Sequence, residues 1–131
     1  MAVRFTGVLS RAPASSVQAD RLKPGHMAWP FDPPHVGLVL RMPKWQPGRD
    51  MLEPYLDDIG ILGADWAFIA YETWSGPVDY FQRYGQVGAD RLESISQYDQ
   101  KAQRLYQDLM EKFGLGEEAD DFAPLRKGFW G

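Results

Sequence analysis

Residues 65–84 read DWAFIAYETWSGPVDYFQRY, and the fold turns on this stretch. Trp66 to Tyr71 is apolar almost throughout, as in strands buried on both faces. The run ends in Glu72-Thr73-Trp74, and Ser75-Gly76-Pro77 supplies turn chemistry. The pattern predicts two strands, 65–73 and 78–86, joined as a hairpin, with Gly85 and Gly88 closing it. On period-two counting Trp66, Phe68, Ala70, Glu72 and Trp74 point one way, and Ala67, Ile69, Tyr71 and Thr73 the other.

Outward from the hairpin the chain alternates between strand and helix signals. Residues 3–10 alternate, with Val3, Phe5 and Leu9 on one parity and Arg4, Thr6 and Ser10 on the other, so they form a half-buried strand. Residues 11–35 show no periodicity and carry Pro13, Pro24, Pro30, Pro33 and Pro34, which reads as a long Pro-rich loop. Residues 36–42 form a second strand fenced by Pro34 and Pro43. Asp50 and Glu53 have capping-box spacing, and Met51, Leu52, Tyr55, Leu56 and Ile59 fall on one helical face. Pro54 is then expected in the first turn, where a missing N–H does least harm. A second helix is predicted from Ser94 or Ser96 to Phe113. Its apolar positions are Ile95, Tyr98, Ala102, Leu105, Tyr106, Leu109, Met110 and Phe113, with Gly114 placed as a left-handed cap.

The expected order is therefore β-β-α-β-β-α. The strand–helix–strand crossover implies a parallel pair and the hairpin an antiparallel one. The fold class expected is α+β: a two-layer sandwich with a mixed four-stranded sheet and both helices on one face. At 131 residues, with no repeat and no linker, the chain reads as a single domain, 1–131, carrying an aromatic tail at 122–131.

Composition narrows the chemistry. There is no cysteine, which removes disulfides, thiolate metal sites and thiol nucleophiles. The net charge of −4 is uneven: residues 1–49 hold seven basic and two acidic side chains, residues 50–131 seven basic and sixteen acidic. That distribution implies halves that attract each other within one fold. It argues against a nucleic-acid partner, which calls for a basic patch on a basic domain. No apolar run reaches the ~18 residues of a membrane span, and no secretory segment is evident, so no membrane role and a cytoplasmic location are expected.

His26 and His35 with Asp32 could supply a two-histidine, one-carboxylate metal set, but the spacing matches no metal motif, and no metal or cofactor is expected. The chain has neither a G-x-S-x-G elbow nor a phosphate-binding glycine loop. The weak catalytic candidates are Glu72 and Asp79, two carboxylates across the presumed turn that could act as an acid–base pair. The plainer reading pairs Glu72 with an arginine such as Arg83. Candidate binding residues are the surplus aromatics Trp29, Phe31, Trp45, Trp74, Tyr80 and Trp130, since large rings anchor interfaces at low entropic cost. Phe122, Leu125, Phe129 and Trp130 are expected to dock on the domain or on a partner.

The sequence thus favours a non-enzymatic module that recognises another protein, as immunity proteins and adaptors do. The alternative is a small-molecule binder or hydrolase-like enzyme with an acidic–aromatic pocket at the hairpin. Self-association is the third option.

Overall fold

The computed structural model describes residues 3–31, 36–73 and 78–115. Six strands and two α-helices follow in the order β1 (Val3–Ser10), β2 (Met27–Pro30), β3 (Leu38–Arg41), α1 (Arg49–Asp58), β4 (Trp66–Thr73), β5 (Val78–Val87), β6 (Asp90–Tyr98) and α2 (Asp99–Lys112). The strands form one sheet in the order β2-β3-β1-β4-β5-β6, and every neighbouring pair is antiparallel.

This corrects the expected mixed four-stranded sheet. β3 and β4 do run the same way, as the crossover implies, but β1 lies between them, antiparallel to both. Two strands escape the sequence patterns. β2 is four residues long, ends in Pro30 and is mostly exposed, so it has neither length nor alternation to betray it. β6 occupies residues assigned above to the start of the second helix. Ile95 and Tyr98 happen to stand at helical spacing from Ala102, yet Tyr98 is the last strand residue and the helix begins at Asp99. Gly88 and Ala89 form a two-residue hairpin loop with Gly88 at φ 59°, the conformation a type II′ turn requires at its first central position. Gly88 therefore continues the sheet rather than ending it.

The helices pack on opposite faces, not on one. β4 is the axis of the molecule, with Trp66 to Tyr71 all at 2% exposure or less. Its odd residues Ala67, Ile69 and Tyr71 join Phe5, Leu9 and Val39 beneath Ala102, Tyr106, Leu109 and Met110 of α2. Its even residues Trp66, Phe68 and Ala70 join Val8, Leu38 and Leu40 beneath Leu52, Tyr55 and Leu56 of α1. A strand apolar on both parities needs a cover on both sides, and each helix supplies one.

Both helices end in the same device. Gly60 and Gly114 take left-handed backbone, and paired bonds from Gly60 to Asp57 and Ile61 to Leu56, and from Gly114 to Glu111 and Leu115 to Met110, satisfy the last carbonyls. The start of α1 departs from expectation. Gly48 is the N-cap, no side chain caps it, and Pro54 falls in the second turn. Arg49 fixes this end instead. Its guanidinium donates to the carbonyls of Gly85 (2.9 Å) and Leu92 (2.7 Å) and lies over the rings of Trp66 and Tyr84. No helix among the described residues is long and apolar enough to cross a membrane.

Candidate functional site

α1 covers only part of its sheet face. Beyond Phe68 the even side of β4 continues through Ala70 to Glu72, and here the register sets a row across the sheet: Arg4 beside Glu72, Glu72 beside Tyr80, Tyr80 beside Tyr98. Directly paired residues share a face. Thr6 and Ala70 form the next row inward. The segment linking β3 to α1 brings Pro43, Lys44 and Gln46 to the side of these rows. Together they enclose an open cavity of about 480 Å³.

Its chemistry follows from four groups. Glu72, half-buried, accepts from the Arg4 guanidinium, Nε to Oε1 at 2.8 Å, so its charge is matched inside the cavity. Tyr80 and Tyr98 stand 5.0 Å apart between ring centroids, tilted by 51°. The Tyr80 hydroxyl donates to Gln82 Oε1 at 3.2 Å, and burial, then Tyr98 and Glu72, raise its pKa above the usual phenol value. Lys44 stands on the rim. It occupies the third position of a Met42–Trp45 turn, closed by a 3.3 Å bond from the Trp45 N–H to the Met42 carbonyl, with Pro43 second. Its φ is 62°, a left-handed conformation that glycine usually supplies at this position of a type II turn. Among the described residues Lys44 has no carboxylate partner. Arg41 also borders the cavity. It shares the parity of Val39 on the α2 face, where its charge bears on Tyr71.

Glu72 and Tyr80 are the predicted residues that meet here. Asp79 does not join them: the register slips between Glu72 and Thr73, and Asp79 opens into a separate recess with Val78, Asp99, Gln100 and Gln103. The carboxylate pair is not assembled. The arginine partner is Arg4 and not Arg83, whose guanidinium donates to the Glu93 carbonyl at 2.6 Å. Phe31 is core on the α2 face, at 4% exposure. Trp29 sits on the edge strand β2, 43% exposed. Trp45 is half-buried against His26 and Tyr55. Among the described residues the aromatic candidates therefore do not converge on one pocket. Trp74, Trp130, Asp32, His35 and the tail at 122–131 lie outside the described residues.

His26 packs in its loop against Trp45 and Tyr55. The Lys23 backbone N–H donates to the Tyr55 oxygen at 3.0 Å, and that hydroxyl stands 2.8 Å from His26 Nδ1. The two share one hydrogen bond, its direction set by the ring's tautomer. Burial, then the Lys23 ammonium, hold the His26 pKa below its ordinary value. No group of three metal-ligating side chains occurs among the described residues.

Sequence reasoning missed Arg4, Thr6, Lys44, Gln46 and Tyr98 as site residues. Arg4 and Thr6 were legible as the polar parity of β1, but only the register shows that this parity faces Glu72. Tyr98 was hidden by its assignment to a helix. No protein-family model, curated protein or solved structure matches the chain at a significant level.

Proposed function

We propose that this protein binds a small molecule in the cavity at the Glu72–Tyr80 end of the sheet, without hydrolysing it. The observation that carries the reading is the cavity itself: a recess of about 480 Å³ over the part of a sheet face that its helix leaves open, walled by tyrosines. Small-molecule sites commonly fall between ~300 and 1,000 Å³ and combine aromatic walls with a few fixed polar groups. Thr6, Gln46, Glu72 and the Tyr80 hydroxyl are such groups here. The separation of Asp79 from Glu72 favours binding over acid–base hydrolysis. The test is a fragment library screened by amide shifts of isotope-labelled protein. Hits are expected to move Thr6, Ala70, Glu72 and Tyr80 together. Hits confined to the α2 side of the sheet would overturn the proposal.

One observation favours a second reading, recognition of another protein. Met27 and Trp29 are 48% and 43% exposed on β2, an edge strand. An edge strand presents unpaired backbone groups that a further strand can join. In its simplest form the partner is a second copy, β2 against β2. Sedimentation would then show a dimer that Trp29→Lys dissociates, and a monomer at all concentrations would remove this form of the reading.

A further inference from the structure

We infer that the cavity selects a ligand joining an anionic group to a flat ring, with Lys44 as the residue that chooses the charge. This rests on the binding reading above and names its ligand class. The charges bordering the site are Arg4, Arg41, Lys44 and Glu72. Arg4 and Glu72 neutralise each other at 2.8 Å, and Arg41 belongs by parity to the opposite face. Among the described residues that leaves two cations at the cavity, Arg41 and Lys44, of which Lys44 is the exposed one, on the rim. A cationic ligand would find Glu72 already matched and Lys44 repelling it. An anionic one finds a donor whose charge no carboxylate among the described residues takes up.

The backbone supports the same conclusion. Lys44 holds a left-handed conformation, at φ 62°, in a turn where glycine would be unstrained. Non-glycine residues in this region cost free energy and cluster at functional sites. Here the turn brings Lys44 to the border of the cavity. Facing it across the floor of Thr6 and Ala70 stand Tyr80 and Tyr98, whose tilted rings offer a wall to a planar group. Carboxylates and phosphates share the charge chemistry, so the probes must separate them.

The strain also yields a clean variant. Lys44→Gly removes the ammonium and relaxes the turn, so the folded protein is expected to keep its melting temperature or gain. Five probes are titrated into wild type and variant by amide shifts: benzoate, phenyl phosphate, benzyl alcohol, benzamidine and acetate. Benzoate or phenyl phosphate is expected to bind most tightly, moving Thr6, Ala70 and Tyr80, with affinity that falls as salt rises. The better of the two identifies the anion. Lys44→Gly should weaken it by about tenfold or more, the scale of one charge-assisted bond, and Tyr80→Ala should weaken it while sparing acetate. Benzyl alcohol or benzamidine binding equally well, or an unchanged affinity in Lys44→Gly, would overturn the charge assignment while leaving the cavity a binding site. Acetate matching benzoate would overturn the ring. Silence from all five overturns the inference, and the fragment screen then judges the binding reading separately.

Discussion

At Tyr84 the phenol hydroxyl donates to the Pro47 carbonyl over 2.6 Å, and both residues are buried. Pro47 leads into α1 and Tyr84 lies mid-way along β5, so this bond ties the entry of the helix to the sheet. Tyr84→Phe keeps the ring, stacked on Phe68 at 4.9 Å, and leaves the carbonyl without its donor. A buried polar group stripped of its partner costs about 1–3 kcal/mol. The midpoint of urea unfolding is expected to fall accordingly, at unchanged slope. His26 gives a residue-scale prediction in pH. Its folded-state pKa lies below the value of 6.5 that it has when unfolded. Above that pH both states hold a neutral ring and the contribution to stability is complete. As pH falls through 6.5 toward the folded value, the unfolded chain takes up the proton first, and stability is lost. Melting temperatures between pH 8 and 5 should therefore drop more steeply in the wild type than in His26→Gln, whose side-chain amide can still bond to Tyr55. Parallel curves would show that His26 does not titrate differently on folding.

At the scale of elements, α1 contains its own defect. Pro54 is exposed in the second turn and cannot donate to the Asp50 carbonyl four residues back. Pro54→Ala restores that bond and removes the ring's clash. A helix-interior proline costs about 3 kcal/mol relative to alanine, and the looser unfolded chain returns up to about 1 kcal/mol of this. A gain of about 2–3 kcal/mol is expected from urea unfolding; no gain would mean that the helix already bends around the proline without strain. The same element shows what a sequence reveals. Leu52, Tyr55, Leu56 and Ile59 mark the buried face of α1 because burial there repeats with the helix, and all four are buried, whereas Met51, read onto the same face, is 60% exposed. The core of β4 was equally plain, since six consecutive apolar residues have few other uses. β2 and β6 were not, and for a physical reason. Edge strands are held by backbone bonds on one side and expose most of their side chains, so their composition is set by solvent rather than by the core. The candidate site was half legible for a related reason. Glu72 stood out because a carboxylate interrupts an apolar parity, and Tyr80 because it lies in the same hairpin. Lys44 gave no signal: its left-handed φ comes from a turn, and nothing in Pro43-Lys44-Trp45 distinguishes it from an ordinary exposed lysine.

For the whole molecule, the uneven charge resolves into contacts between halves. Arg4 meets Glu72, Arg11 meets Asp65 and Arg21 meets Asp58, each joining the basic first 49 residues to the acidic remainder. All three involve half-exposed or exposed side chains, and such pairs contribute little to stability, on the order of 0–1 kcal/mol each. Stability rests instead on the two clusters that the sheet keeps apart. That separation distinguishes helices on opposite faces from the two-layer arrangement in which both would share one core. Ile59→Val removes a methyl group on the α1 side and should cost about 0.5–1.5 kcal/mol; Leu109→Ala on the α2 side should cost about 2–5 kcal/mol. With the sheet between them the two sites share no cavity, so the double variant should lose the sum of the single losses to within about 0.5 kcal/mol. Ile69 belongs to the same cluster as Leu109. Ile69→Val combined with Leu109→Ala is the comparison expected to depart from additivity, because relaxation around one void changes the other. Urea unfolding of the six proteins decides the matter. A coupling between positions 59 and 109 as large as that between 69 and 109 would mean one continuous core, and the opposite-face arrangement would be wrong.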